Sequence, residues 1–281
     1  MNTQTYFVYN HTELFEKLNQ NTNLNNEVKN FFQNFSFDEV VNQQVAKGNT
    51  SHVLNNIIKE DAIKAKIIGH LNKLNQHNLV KVLNSIRDII FQTTDELNEL
   101  VYQCIQKIKK DNDLIRPVVA ALCKEFLALY FVTSDNDKIY FRKLLLTEVK
   151  KEYINSISFD SNEWTKEKAD RIMILISTLF NEKIIEDKIM LSIINDLKKN
   201  IIYKQDKTQE YYEHVEKSIQ LLSCLVSSIV INPESKVIFD GLDIFLQEQM
   251  EIYEEVKCIQ KKTRLICKNI IFELNKTNFN V

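Results

Sequence analysis

The sequence predicts an all-α chain, most of it an α-solenoid of about five helical hairpins, preceded by an N-terminal extended or helical arm. Three observations carry that expectation. Only three glycines and two prolines occur in 281 residues, which starves the chain of hairpin turns and of glycine-rich phosphate loops. From about residue 60 onward, apolar residues recur three and four apart, in segments separated by short polar breaks. These segments pair into units of roughly 40 residues, the length at which each helical pair must cover its neighbour's apolar face. A compact helical bundle is the alternative arrangement of the same helices.

Residues 1–59 differ from the rest, being rich in Asn and Gln with scattered aromatics, and are assigned as a separate arm from the 60–281 domain. Within the arm, Asn19 to Asn26 is too polar to pack and is expected to be a flexible linker. The first helical pair is predicted over Ala62–Lys73 and Gln76–Phe91, and the second over Thr94–Lys110 and Leu114–Phe131. The third covers Asp137–Asn155 and Asn162–Phe180, where Ser161 starts the helix and Trp164, the single tryptophan, staples it. The fourth covers Ile184–Asn200 and Thr208–Ile231. Pro233 then opens the fifth, Glu234–Tyr253 and Val256–Leu274, because an amide hydrogen at that position would lack a partner anyway.

Lys and Arg total 36 against 38 Asp and Glu, so any basic site must be local rather than global. No run approaches the length of a membrane-spanning helix, and the N-terminus lacks the basic and apolar regions of a signal peptide, so the expected location is the cytoplasm, with no membrane partner. Five widely spaced cysteines without a Cys-x-x-Cys pair suggest reduced core residues rather than disulfides or zinc. His70 and His77 are expected at a turn or on the surface. The sequence contains no His-Glu-x-x-His, nucleophile elbow or Walker loop, so neither an enzyme nor a cofactor or metal is expected. Lys257, Lys261, Arg264 and Lys268 recur at steps of four, three and four, which on one helix makes a basic stripe. Such a stripe is either a solvated face or a contact for phosphate, mRNA included, or for an acidic partner.

In order, the segments IIGHLNKLNQHNLVKVLNSI, LVYQCIQKIKK, AALCKEF and FRKLLLTEVKKEY form a pattern that resembles the middle domain of eukaryotic translation initiation factor 4 gamma. His70-Leu-Asn-Lys-Leu-Asn75 looks like that family's Leu-Asn-Lys-Leu signature, and Phe141-Arg-Lys-Leu-Leu-Leu146 looks like its Phe-Arg-Lys-Leu-Leu-Leu signature. The resemblance extends to about residue 275 and implies a five-repeat HEAT solenoid that hydrolyses nothing itself. It implies a scaffold that grips both lobes of a DEAD-box RNA helicase of the initiation factor 4A type. Leu71, Asn72, Lys73 and Leu74 are the first docking candidates, although Leu71 and Leu74 also fit a buried helix face. Asn112, Asp113, Leu114 and Ile115 match a second contact loop by position, and Arg264 and Lys268 are candidates for the other lobe. The sequence departs from the family at Lys166–Ile172, which is mixed in charge and has no glycine, and at Asn269, where the family has an acidic residue.

Upstream, Tyr9-Asn-His-Thr-Glu-Leu14-Phe15 fits Tyr-x-x-x-x-Leu-Φ, the motif by which scaffolds of this family dock the cap-binding initiation factor 4E type protein. On a helix, Leu14, Phe15 and Leu18 form one apolar stripe, with Tyr9 anchoring the chain before it. An arm helix folded onto its own solenoid is the structural alternative. Tyr140, Leu145 and Leu146 satisfy the same pattern and are expected to pack in the core. The same domain type also occurs in RNA-processing and decay adaptors and in translation regulators that bind other DEAD-box helicases, which is the alternative function.

Overall fold

The computed structural model describes residues 62–91, 93–133, 136–159, 162, 164–205, 208–230 and 237–276. The arm, the linker at Asn19–Asn26, Tyr9, Leu14, Phe15, Leu18 and Pro233 lie outside the described residues. Those described belong to one compact unit, 62–281. It contains α1 (62–72), α2 (Leu79–Arg87), α3 (Thr94–Lys110), α4 (Arg116–Glu125), β1 (Tyr130–Val132), β2 (Lys138–Tyr140) and α5 (Phe141–Ile157). It continues with α6 (Lys166–Asn181), α7 (Asp187–Ile201), α8 (Gln209–Ser228), a 3₁₀ turn (Val237–Phe239), α9 (Leu242–Val256) and α10 (Lys261–Lys276).

Among the described residues the fold is all-α apart from one short hairpin, and the helices pack as successive pairs, with α3 on α4, α5 on α6, α7 on α8 and α9 on α10. The second helices of consecutive pairs also pack on each other, α2 on α4, α4 on α6, α6 on α8 and α8 on α10, forming an unbroken row. That row holds the solenoid together. α6 buries nine of its 16 residues, Ala169 to Phe180, including Ser177 and Thr178, whose hydroxyls donate back to the Ile174 carbonyl at 3.0 and 2.6 Å and so bury no unpaired polar group.

Helix starts follow side-chain caps. Thr93 and Glu96 form a reciprocal capping box on α3, Thr165 accepts from the Lys168 amide on α6, and Thr208 accepts from the Tyr211 amide on α8. The expected start of α6 at Ser161 therefore moves to Thr165. Trp164 sits at the position just before the cap, where its indole Nε1–H donates to the Ser156 carbonyl at 2.8 Å and its ring meets Phe159 edge-on.

Most described helices are shorter than expected, and at several ends the local reason is visible. Asn75 and Asn78 bond the backbone of their own turn and delay α2 to Leu79. α4 stops at Glu125 because Tyr130-Phe131-Val132, aromatic and β-branched, pairs antiparallel with Lys138-Ile139-Tyr140 instead of staying helical. Asn136, at φ 69°, and Thr133 close that hairpin. Tyr140 is therefore exposed on a strand beside Tyr130, not in the core as expected, whereas Leu145 is buried. Gly241, at φ 66°, separates the 3₁₀ turn from α9, where a side chain would be strained.

Cys104, Cys123 and Cys267 are buried and all five cysteines are free thiols. Burial pushes the Cys267 thiol from 9.0 up to about 12, and burial likewise raises the Tyr153 and Tyr253 hydroxyls above the usual tyrosine range. The Tyr253 hydroxyl donates to the Ile201 carbonyl, tying α9 to the end of α7. Because these folded-state values lie above the unfolded ones, the native state holds protons that the unfolded chain loses first. Their stabilisation is complete below pH 9 and is lost as pH rises toward 12. Thermal melts should show the midpoint falling progressively above pH 9, with a shallower fall in Cys267→Ala; a flat profile across that window would contradict the burial.

Candidate docking surface

Ion pairs join first helices of neighbouring pairs. Lys64 of α1 meets Glu99 of α3 at 3.4 Å, Lys109 and Glu152 join the last turns of α3 and α5 at 2.9 Å, and Arg142 at the start of α5 meets Glu186 just before α7. The turns that follow α1 and α3 are 73–78 and 111–115.

The first turn is rigid. Asn75 Oδ1 accepts from the amides of His77 and Asn78 at 2.9 and 3.1 Å, Asn78 Oδ1 accepts from the Asn75 amide at 2.8 Å, and Asn78 Nδ2 donates to the Lys73 carbonyl at 2.6 Å. Asn72 and Lys73 are exposed on it. Leu71 and Leu74 are not available to a partner: they are 2% and 4% exposed and belong to the core, filling the buried side of α1 and its turn. Their apolar character serves packing, which is the alternative that their spacing allowed.

The second turn is braced on both sides. Asn112 Oδ1 accepts from the amides of Leu114 and Ile115 at 3.1 Å each, and Asp113 pairs with Arg116. Arg116 Nε also donates to the Ile108 carbonyl at 3.2 Å, capping the end of α3. The result holds Leu114 out at 70% exposure, with Asn112 and Asp113 exposed beside it and Ile115 half-buried. Leu114 is one of several singly exposed large apolar residues, Val80, Ile90 and Val237 among them, and is set apart from those by the bonds that brace its turn.

The predicted basic stripe divides. Lys257 is not on α10; it ends α9 in the left-handed conformation, at φ 56°. Arg264 is half-buried and its Nη1 lies 3.0 Å from Glu254 Oε1, so its charge is already partnered. Lys261 and Lys268 remain exposed on α10, opposite the buried Ile270 and Leu274, and neither forms an ion pair with a described residue. Asn269 is exposed on the same helix.

A second grouping was not legible in the sequence. Lys109 and Lys110 of α3 meet Lys168 and Arg171 of α6 around a polar cleft of ≈ 460 Å³ that Trp164 borders. These residues are about 60 positions apart in the chain, and only the packing of α3 against α6 joins them. Their charge is partly offset, since Lys109 is paired with Glu152 and Arg171 with Glu167. The mixed-charge segment Lys166–Ile172 is thus laced internally, and Lys166 pairs with Asp170 at 3.3 Å. Among the described residues no His, Cys, Asp and Glu side chains converge as metal ligands, and no helix is long and apolar enough to cross a membrane.

No protein-family model matches the chain, and no curated protein matches it. Among solved structures, the chain is similar to the crystal structure of the MIF4G domain of Trypanosoma cruzi translation initiation factor EIF4G5, at 14% identity and a TM-score of 0.47, with 77% of this chain and 96% of that chain covered.

The bracing of the second turn is testable. Asn112→Ala should remove both side-chain bonds, destabilise the protein by about 1 kcal/mol and speed hydrogen exchange at the Leu114 and Ile115 amides. Unchanged exchange there would show that the side chain does not hold the turn.

Proposed function

We propose that this protein is a translation initiation scaffold that binds a DEAD-box RNA helicase of the initiation factor 4A type on the solenoid edge and a cap-binding initiation factor 4E type protein on its arm. The observation that carries the helicase site is Leu114, exposed on a turn braced by Asn112 and Arg116, with Asn72 and Lys73 exposed at the turn after α1. The first turn follows the segment that resembles the Leu-Asn-Lys-Leu signature of the initiation factor 4 gamma middle domain, and the second matches that family's second contact loop by position. Asn112, Asp113 and Ile115 complete that surface; Leu71 and Leu74 support it from the core.

Arg264, anchored on Glu254, and Lys268 at the far end of the stack are assigned to the other helicase lobe. Lys257, Lys261 and Lys268 supply the free positive charge for mRNA phosphates. The arm contributes Tyr9, Leu14, Phe15 and Leu18 as an amphipathic anchor for the cap-binding protein. Holding both partners on one chain raises the effective concentration of each near the other, so the cap-bound message and the helicase meet without new contacts between them. The chemistry stays with the helicase.

Leu114→Asp combined with Lys73→Glu should weaken binding of a purified initiation factor 4A type helicase by about thirtyfold, the scale of one lost hot spot, while the melting temperature is retained. Unaltered helicase affinity would remove this edge from the interface. Independently, Tyr9→Ala with Leu14→Ala should abolish capture of the cap-binding protein and leave helicase binding intact. Helicase binding without any capture of a cap-binding protein by the wild-type chain would assign it to the RNA-processing adaptors instead.

A further inference from the structure

The row of second helices is continuous, but the first helices pack less closely beyond the third pair. α3 packs closely on α5, whereas α5 and α7 meet more sparsely, through the Tyr153 hydroxyl and the Ile193 carbonyl. Between them lies a groove of ≈ 660 Å³ that no part of the proposed function uses. Its floor is Val149, Tyr153, Ile185 and Ile193, all buried, and the Tyr153 hydroxyl bridges it by donating to the Ile193 carbonyl at 3.5 Å.

α5 is apolar on two faces. Phe141, Leu145, Val149 and Tyr153, spaced by four, point into the stack. Leu146, Ile154 and Ile157 form a second stripe along the groove, where Ile154 is 48% exposed. Across the gap, α7 offers Ile189, 37% exposed, above the buried Ile193. A surface helix with a single core to cover needs one apolar stripe; the second is available for another element. The groove-facing stripe of α5 from Lys143 to Ile157 is about 20 Å long, enough for three to four turns of a docked helix.

The charge around the groove selects the occupant. Lys143, Lys150 and Lys188 line it against a single acid, Asp196, which Lys199 neutralises at 3.0 Å. Lys143 and Lys150 form no ion pair with a described residue, and Lys188 reaches Glu186 only at 4.0 Å. We infer that this groove binds an acidic amphipathic helix of a partner protein, with apolar side chains three and four apart entering between α5 and α7 and flanking Asp or Glu meeting the three lysines. The apolar residues line a trough between two helices rather than a crest, which suits a helix better than a lipid surface.

The test is selection from a displayed library of helical peptides of about 18 residues against the full chain, with counter-selection against Ile154→Glu/Ile189→Glu. Both side chains are exposed, so this variant should keep the wild-type melting temperature. Selected peptides should carry the spaced apolar anchors with acidic flanks. They should lose at least about tenfold in affinity to the double variant and about fivefold to Lys143→Glu/Lys150→Glu, with the second loss shrinking at high salt. Peptides that do not distinguish wild type from the isoleucine variant, or selection of basic sequences, would overturn the inference. So would self-association, or binding to anionic phosphatidylserine vesicles, that the isoleucine substitutions abolish, because either would give the groove a different occupant.

Discussion

The structure depends on the second helices covering one another. α4, α6 and α8 are each flanked by a helix on either side in their own row and by a first helix across it, so their apolar residues leave water in every direction but one. Val119, Leu175, Leu179, Ile219 and Leu222 are fully buried in this row. Hydrophobic burial of about 25 cal/mol per Å² supplies the main favourable term, and in a stack of pairs it accumulates from neighbour to neighbour rather than around one centre. First helices are then free to meet more sparsely, as α5 and α7 do, without breaking the stack.

That arrangement divides labour between backbone and surface. Turns 73–78 and 111–115 each send one apolar side chain inward, Leu74 and Ile115, and are held by Asn75, Asn78, Asn112 and Arg116 bonding the chain's own amides and carbonyls. Much of their backbone is satisfied locally, and Asn72, Lys73, Asn112, Asp113 and Leu114 stay exposed. A turn held this way has little entropy left to lose on being covered. The ion pairs between first helices are half-exposed and contribute little energy individually.

Periodicity made the helices legible, because burying an apolar stripe leaves the same spacing in every pair; Thr94–Lys110 matches its predicted bounds. Ends were less legible. At Asn75 and Thr165 a side-chain bond decides where a helix begins, and helix-forming neighbours conceal it. The Tyr130–Tyr140 hairpin was missed because each strand is only three residues long and stable only when paired with the other. Among the candidate site residues, spacing alone could not separate Leu71 and Leu74, which pack inward, from Leu114, which does not. The stripe at Lys257–Lys268 assumed one continuous helix, and the left-handed Lys257 interrupts it. The Lys109–Arg171 cleft and the α5–α7 groove were hidden for a different reason: both are products of helix packing between segments distant in the chain.

The proposed scaffold role rests on the rigidity of the stack. Native-state hydrogen exchange of the full chain measures it directly. The account predicts that the amides of α4, α6 and α8 exchange slowest and as one cooperative unit, with α5 and α7 less protected. Fast or independent exchange of α6, the most deeply covered helix, would contradict it.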